Sequence, residues 1–407
     1  MAEATLVNRW TDFDPLQEVI LGIADNACFP PLEPACHSEF NDQNNKYGAR
    51  MSHPFSEHLP WPTGPKLKKF IDAANIQLEG FKELLEGEGV TVRRPDPNLC
   101  NFNVGIKTPD FKSPTQYCAV CPRDVVMTVG KEIVEATMSK RSRFFEYRPL
   151  RPLIKSYFDR DPNMIWTAAP KPLMGDDSYN TAFWYWPLEE RIERMHKYEY
   201  SLSEKEIMFD AADCLLIGDI MFVQHSMTTN LCGIRWLKRH FAQTGIQVQT
   251  LHFPYDLYPS HIDATFVALR DKFILTNPDR PVIEEEVKIF RQNDWRLIDV
   301  PFYTTTHEHP VMCQSSRWLS MNVFSIGPNK VVVEAGETPL INMLEQEYGF
   351  DVCPVPYRSV FEFGGSLHCS TWDVRRDGDK KNYFENREDV EDKGFFGLDQ
   401  IGDWGFA

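Results

Sequence analysis

The sequence lacks any long hydrophobic run, and no apolar stretch approaches the ~18 residues that suggest a membrane-spanning helix. It also lacks an excess of basic residues, because 43 Lys and Arg stand against 59 Asp and Glu, a net charge of −16. Proteins that bind nucleic acid or an anionic membrane usually present a basic surface, so this balance argues against both partners. The first residues carry no basic segment followed by an apolar stretch. We therefore expect neither a signal peptide nor a transit peptide, and a cytoplasmic location.

Cysteine is sparse, with ten in 407 residues, and nothing in the sequence indicates a disulfide framework. Cys118 and Cys121 form a C-x-x-C pair, but no second pair of Cys or His residues lies nearby at the spacing of a zinc site. We therefore predict that most of the cysteines are reduced and buried in the core, including this pair. The remaining composition, 42% hydrophobic and 25% charged, is that of a folded globular protein and excludes a disordered chain.

A pattern of amphipathic helix, short strand and proline recurs five times. The clearest copy has apolar residues at helical spacing from Leu67 to Leu85, glycines at 87 and 89, and a strand at 90–94 that stops at Pro95. The other copies lie at residues 150–170, 234–254, 283–301 and 340–354. Repeats of roughly 50 to 80 residues that mix a helix with strands favour a ring of small α/β units. An ordinary α/β domain with alternating helices and strands is the alternative.

Predicted hairpins follow at residues 124–136, 214–224, 264–276 and 319–335. In a ring, the residues just before each hairpin meet near the axis, and here they are polar. They are Arg123 and Asp124, Asp210 and Asp213, His261 and Asp263, Ser315 and Ser316, and His368 and Cys369 in the last unit. Carboxylates together with a histidine and a cysteine form a constellation suited to nucleophilic attack on a cationic carbon.

These residues lie in segments that resemble the amidinotransferases of the guanidino-group-modifying superfamily. The resemblance runs from about Val7 to Arg376, and it is densest in six segments. They are 141–147 (Arg-Ser-Arg-Phe-Phe-Glu-Tyr), 168–172, 209–213 (Phe-Asp-Ala-Ala-Asp), 261–266 (His-Ile-Asp-Ala-Thr-Phe), 277–281 and 365–369 (Gly-Ser-Leu-His-Cys). The resemblance implies a five-bladed α/β propeller, the pentein fold, with pseudo-five-fold symmetry. Within the family the sequence looks like the glycine type and closest to the cyanobacterial cylindrospermopsin-pathway type.

The resemblance also implies a reaction. L-arginine is the amidino donor, an amine is the acceptor, ornithine is a product, and neither a cofactor nor a metal takes part. Cys369 matches the nucleophile that forms an amidino-cysteine intermediate, and His261 matches the general acid and base. Asp210 matches the carboxylate that orients His261, although spacing alone leaves Asp213 open as well.

Further residues match the family's substrate contacts. Asp124 and Asp263 match the acids that grip the donor guanidinium, and Arg280 matches the group that binds the donor's carboxylate. Ser315 and Ser316 match donor contacts, with a small turn before Trp318 as the alternative. Tyr258 and Ser260 stand in the loop before His261, where the glycine enzymes carry Asn and Met, and we expect this loop to influence the acceptor.

We predict transfer to a small amine, with glycine favoured and guanidinoacetate as product. An arginine deiminase-type hydrolase and a catalytically silent binding protein of the same fold remain alternatives. We expect a single domain at residues 1–376 and an acidic tail at 377–407, with residues 28–64 as either a lid or surface decoration. A homodimer is left open.

Overall fold

The computed structural model describes residues 5–31, 33–35, 64–253, 261–302 and 316–387. Its strands are β1 (Leu16–Leu21), β2 (Thr91–Arg93), β3 (Ile106–Lys107), β4 (Lys112–Ser113), β5 (Val126–Val129), β6 (Glu132–Glu135), β7 (Ile165–Ala168), β8 (Cys214–Ile217), β9 (Ile220–Gln224), β10 (Gln247–Leu251), β11 (Phe266–Arg270), β12 (Phe273–Thr276), β13 (Arg296–Asp299), β14 (Phe324–Gly327), β15 (Lys330–Glu334), β16 (Asp351–Val355) and β17 (Thr371–Arg376). Its helices are α1 (Lys68–Gly87), α2 (Pro122–Val125), α3 (Arg151–Arg160), α4 (Leu188–Met195), α5 (Leu231–Ala242), α6 (Lys288–Gln292), α7 (Thr338–Asn342) and α8 (Arg358–Phe361).

Small mixed sheets of three strands dominate the described part of the chain. In four of them an antiparallel hairpin is followed by a helix and then by a third strand, which pairs parallel with the hairpin's second strand. These sheets are β5-β6-β7, β8-β9-β10, β11-β12-β13 and β14-β15-β16. The predicted repeat of hairpin, helix and strand is therefore confirmed for these units.

The fifth three-stranded sheet joins the two ends of the chain. β17 pairs antiparallel with β1, and β1 pairs parallel with β2, so the order β17-β1-β2 repeats the pattern of the other sheets. Pairing between strands some 350 residues apart has no local signature. The sequence pattern therefore did not reveal this hairpin.

Contacts between the sheets follow chain order. β17 contacts β5, β11 contacts β14, and β1 in the first sheet contacts β14 in the last. Short turns placed just before the hairpins also touch one another, and these are α2, the 3₁₀ turn Ala211–Asp213, the turn Ile262–Ala264 and the turn Arg317–Met321. The polar residues that precede the hairpins are carried by these turns.

The structure corrects two local expectations. The proline of the fifth copy does not stop its strand, because Pro354 lies inside β16. β16 is an edge strand, and proline is tolerated there because the open side of the strand has no neighbouring strand that would need its N–H. The helix of the fourth copy, α6, is shorter than expected, because it begins at Lys288 and a turn occupies residues 284–286.

The long helix α1 forms as its apolar spacing predicts. Ala74, Leu78, Phe81 and Leu85 are its buried residues and pack into the largest hydrophobic cluster. The helix ends where Gly89 takes a positive φ of 83°, which glycine adopts without a Cβ penalty. The side chain of Phe81 packs edge-on against Tyr357 and Phe324, with ring centroids 5.4 and 5.9 Å away.

Residues 377–387, the described part of the expected tail, pack in part against the body. Phe384 is fully buried, and Arg387 Nη2 donates to both carboxylate oxygens of Asp219 (2.8 and 2.7 Å). None of the helices in the described ranges has the length and apolarity that crossing a membrane requires.

Replacing Phe81 by Ala should lower the free energy of unfolding by about 3–5 kcal/mol, because it leaves a cavity between α1 and the β14 sheet. Urea unfolding followed by tryptophan fluorescence measures the change. Ile76→Ala on the same helix is the matched control, because Ile76 is 72% exposed and its loss should cost no more than about 0.5 kcal/mol. Equal losses in the two variants would contradict the packing described here.

Candidate active site

Cys369 stands in the turn just before β17, and its thiol faces a carboxylate. Cys369 Sγ donates to Asp263 Oδ2 at 3.2 Å, and the His368 ring Nδ1 lies 2.9 Å from the same oxygen. Asn322 holds the two segments together, because its Oδ1 accepts from the backbone N–H groups of His368 and Cys369 (both 3.1 Å) while its Nδ2 donates to the carbonyl of Asp263 (2.9 Å). The expected nucleophile and one expected guanidinium-binding acid are therefore adjacent.

His261 lies between two carboxylates at the start of the turn before β11. Its Nε2 is 3.1 Å from Asp210 Oδ2, and its Nδ1 is 3.8 Å from Asp124 Oδ1. Asp210 is fully buried and is oriented in turn by the backbone N–H of Ser139, which donates to Oδ1 at 2.8 Å. Asp210, His261 and Asp124 thus come from three successive units.

Asp213, which spacing alone left open, does not hydrogen-bond to His261. One of its oxygens, Oδ2, accepts hydrogen bonds from three hydroxyl groups, those of Ser226 (2.8 Å), Thr228 (2.8 Å) and Thr229 (2.6 Å). Burial is the main cause that raises the pKa of Asp213 to about 6. Asp210 is therefore the carboxylate that contacts the imidazole.

A buried arginine holds the acids in place. Arg143 Nη1 donates to Asp124 Oδ2 at 2.7 Å and lies 3.9 Å from Asp210 Oδ2, and its Nε donates to Glu146 Oε2 at 2.7 Å. Asp124 Oδ1 is buried and has no hydrogen-bond partner among the described residues. A second guanidinium would therefore find one oxygen of Asp124 already bound and the other open.

The charges around the site set the protonation of its groups. Burial alone would lower the pKa of His261, but the charge of Asp124, the hydrogen bond to Asp210 and the charges of Asp213 and Asp210 together raise that pKa to about 10. At neutral pH the imidazole is therefore an imidazolium.

The pKa of the Cys369 thiol is shifted upward, so the thiol keeps its proton. Burial, followed by the charges of Asp263 and Asp124, raises the pKa of Cys369 well above its usual value. Burial also opposes charge on Asp263, but the hydrogen bond and charge of His368 lower the pKa of Asp263 overall. In the absence of substrate the site therefore combines a neutral thiol with ionised acids.

Arg280 is buried beside the turn that carries His261. Its Nη1 donates to Thr265 Oγ1 (2.7 Å) and its Nη2 donates to the carbonyl of Phe253 (2.8 Å). Ser316 is also buried, and its Oγ accepts from the backbone N–H of Trp318 (3.1 Å), which is the turn contact that the sequence offered as the alternative. Tyr258, Ser260 and Ser315 lie outside the described residues.

Sequence reasoning assigned no role to three side chains that organise the site. Arg143 and Glu146 stood inside a recognised segment, but nothing local showed that Arg143 pairs with both Asp124 and Glu146. Asn322 follows an apolar turn and carries no sequence signal. Within the described ranges, no group of three or more His, Cys, Asp or Glu side chains is arranged to hold a metal ion.

Asp210→Asn should lower the pKa of His261, because it removes a hydrogen-bonded negative charge that favours the imidazolium. Histidine ring NMR over a pH range measures this pKa, with His261→Gln assigning the signal. Asp213→Asn is the control and should lower the pKa less, since Asp213 acts on His261 through charge alone. An unchanged His261 pKa in the Asp210 variant would show that the contact does not control protonation.

Comparisons with known proteins agree with this geometry. No family model matches the chain. The mitochondrial glycine amidinotransferase of Danio rerio is 39% identical over 383 residues, which cover 94% of this chain and 86% of that protein. The L-arginine:L-lysine amidinotransferase of Pseudomonas savastanoi pv. phaseolicola is 34% identical, with 93% and 96% covered. The solved inosamine-phosphate amidinotransferase of Streptomyces griseus superposes with a TM-score of 0.79 at 29% identity, covering 94% of this chain and 100% of that one. The chain therefore belongs to the amidinotransferase family.

Proposed function

We propose that this protein moves the amidino group of L-arginine to a small amine through an amidino-Cys369 intermediate, releasing ornithine. The observation that carries the proposal is the 3.2 Å contact of Cys369 Sγ with Asp263 Oδ2, next to the His261–Asp210 pair. Relatives named as transferases cover nearly the whole chain, which favours transfer over the deiminase-type hydrolysis and the silent binding protein that the sequence left open.

The substrate's own charge activates the thiol in this proposal. A guanidinium that binds between Asp263 and the open oxygen of Asp124 neutralises the charges that keep Cys369 protonated. Planar guanidinium and carboxylate groups pair through parallel hydrogen bonds, which fixes the central carbon near the sulfur. The thiol proton is released to water as the guanidinium binds, so the thiolate forms when its electrophile is in place.

His261 then handles the proton of each amine. The imidazolium protonates the leaving nitrogen as the bond from carbon to the ornithine nitrogen breaks, which leaves a neutral imidazole. After ornithine departs, that imidazole takes a proton from the incoming amine, which attacks the amidino carbon and releases the thiolate. One group serves both half-reactions because donor and acceptor occupy the same place in turn.

We further propose that the five small sheets form a ring, a five-bladed α/β propeller, with residues 1–376 as one domain. The contacts of β1 with β14 and the touching turns before the hairpins support this arrangement. A cytoplasmic location and a homodimer stay predictions. The name of the Danio rerio glycine amidinotransferase includes the word mitochondrial, whereas the name of the Pseudomonas savastanoi enzyme gives no compartment.

Incubation with arginine alone should add one amidino group to Cys369 and release one equivalent of ornithine per site. Intact-protein and peptide mass spectrometry measure the adduct, and amino-acid analysis measures ornithine. Cys369→Ser should lose the adduct and reduce turnover by more than about a thousandfold, because the nucleophile is gone. Release of citrulline with ammonia would instead indicate the hydrolase, and an adduct on another cysteine would overturn the role of Cys369.

We propose glycine as the favoured acceptor, with Arg280 holding its carboxylate after ornithine leaves. The three relatives are named for three different acceptors, so the family alone does not select one. The support from this chain is Arg280, whose buried guanidinium is fixed one turn from His261 by Thr265 and Phe253. Arginine forks bind carboxylates in two places, which suits a small amino acid.

Single-turnover transfer from amidino-Cys369 protein tests this assignment. Glycine should react faster than β-alanine, γ-aminobutyrate, lysine or an aminocyclitol at equal concentration. Arg280→Lys should slow transfer to glycine roughly tenfold to a hundredfold by weakening a charged hydrogen-bond pair. Transfer to methylamine, which has no carboxylate, is the control and should change little. A preference for the aminocyclitol, or equal losses for glycine and methylamine, would contradict the role of Arg280.

A further inference from the structure

A second thiol lies beside Cys369 and takes no part in the proposed reaction. Both Cys121 and Cys369 are buried, each 3% exposed. A Cβ placed on Gly365 would lie 2.5 Å from Cys121 Sγ, 2.6 Å from Cys369 Cβ and 3.4 Å from Cys369 Sγ. The separation of the two sulfurs therefore cannot exceed the sum of the first and third of these distances.

The backbone holds the two cysteine segments side by side. Arg123, two residues after Cys121, donates its backbone N–H to the carbonyl of Cys369 (3.4 Å) and its Nε to the carbonyl of His368 (2.9 Å). A disulfide needs Cβ atoms about 3.5–4.5 Å apart and little backbone movement. Rotation of the two side chains about their Cα–Cβ bonds can turn both sulfurs toward the position beside Gly365, while the Arg123 contacts hold the two backbone segments together.

We propose that Cys121 is a resolving thiol, which forms a reversible disulfide with Cys369 when hydrogen peroxide oxidises the site. The small fraction of Cys369 that is ionised attacks one peroxide oxygen, so that an S–O bond forms and the O–O bond breaks. The departing hydroxide leaves as water with the proton that the thiol released, and Cys369 becomes a sulfenic acid. Cys121 then attacks that sulfur, the S–S bond forms, and the S–O bond breaks with loss of water. Two thiols and one peroxide thus yield one disulfide and two waters.

The disulfide has two consequences for the protein. It removes the sulfur that accepts the amidino group, so transfer stops, and this part of the inference rests on the proposed function. It also prevents further oxidation of the sulfenic acid to sulfinic acid, which reductants do not reverse. Arginine without an acceptor should protect the site, because amidino-Cys369 has no free thiol.

The neighbouring Cys118 provides a matched control. It is buried in the same C-x-x-C segment, and its backbone N–H donates to Glu146 Oε1 (3.3 Å), on the side of the Arg143 network. Cys121 is among the groups that act on the Cys369 thiol. Removing Cys118 should therefore leave the Cys121–Cys369 disulfide intact.

The test treats the full-length protein with stoichiometric hydrogen peroxide, with and without arginine, and digests it under non-reducing conditions. We expect a cross-linked pair of peptides that contain Cys121 and Cys369, lighter than their sum by the two thiol hydrogens. Activity should fall with formation of this pair and return on addition of a phosphine reductant. Cys118→Ala should behave in the same way.

The Cys121→Ala variant should be as active as the unmodified protein before peroxide treatment. After the treatment it should lose activity irreversibly, and Cys369 should carry a sulfinic acid. Cys121→Ser, which keeps the size and polarity of the side chain, serves if the alanine variant does not fold. A Cys118–Cys121 disulfide, a reversible loss in the Cys121 variants or sulfinic Cys369 in the unmodified protein would overturn the proposal. The cross-link is detected by mass spectrometry, independently of activity. A Cys121–Cys369 cross-link without loss of activity would therefore establish the disulfide and overturn the proposed role of Cys369 as the nucleophile.

Discussion

Concentrated negative charge in a buried site is the constraint on which the active-site arrangement depends. Asp124, Asp210 and Asp263 are all buried, and burial alone disfavours ionised carboxylates. The protein offsets that cost with cations: Arg143 on Asp124, and the His261 ring on Asp210. The second oxygen of Asp210 accepts from the backbone N–H of Ser139, whereas Asp124 Oδ1 has no hydrogen-bond partner among the described residues, so Asp124 retains acceptor capacity for one more planar cation. A guanidinium is the ligand that such an incomplete set of ion pairs favours.

The same charges decide when the nucleophile becomes reactive. A buried thiol beside carboxylates keeps its proton, and so Cys369 is a poor nucleophile until a guanidinium binds beside it. In the proposed reaction, a bound guanidinium offsets the negative charges that raise the pKa of the Cys369 thiol. Reactivity is thereby coupled to occupancy, and the coupling needs no conformational change. In the proposed reaction, an imidazolium at His261 suits the first proton transfer, which is a donation to the leaving nitrogen.

Sequence patterns predicted those parts of the fold and site that have local signatures. The spacing of Leu78, Phe81 and Leu85 predicted α1, and the hairpin turns predicted the repeated sheets. The resemblance supplied Cys369, His261 and Asp210, whereas spacing alone left Asp210 and Asp213 equivalent. The structure separated these two acids because three hydroxyl groups cover one oxygen of Asp213 while Asp210 meets the imidazole. Arg143 and Asn322 escaped prediction because their partners are distant in sequence and neither residue type is diagnostic by itself.

The position of the nucleophile depends on pairing between the two ends of the chain. Cys369 directly precedes β17, and β17 is held by antiparallel pairing with β1. Asp373 in β17 accepts from Arg123 Nη2 (2.6 Å) and from Arg376 Nε (2.7 Å), and Arg123 also binds the carbonyl of His368. Arg123 is in turn the neighbour of Asp124 in sequence. A single buried ion network therefore positions both the Cys369 thiol and the carboxylate of Asp124 relative to the sheet β17-β1-β2. A disturbance of that sheet should displace the thiol and the carboxylate together.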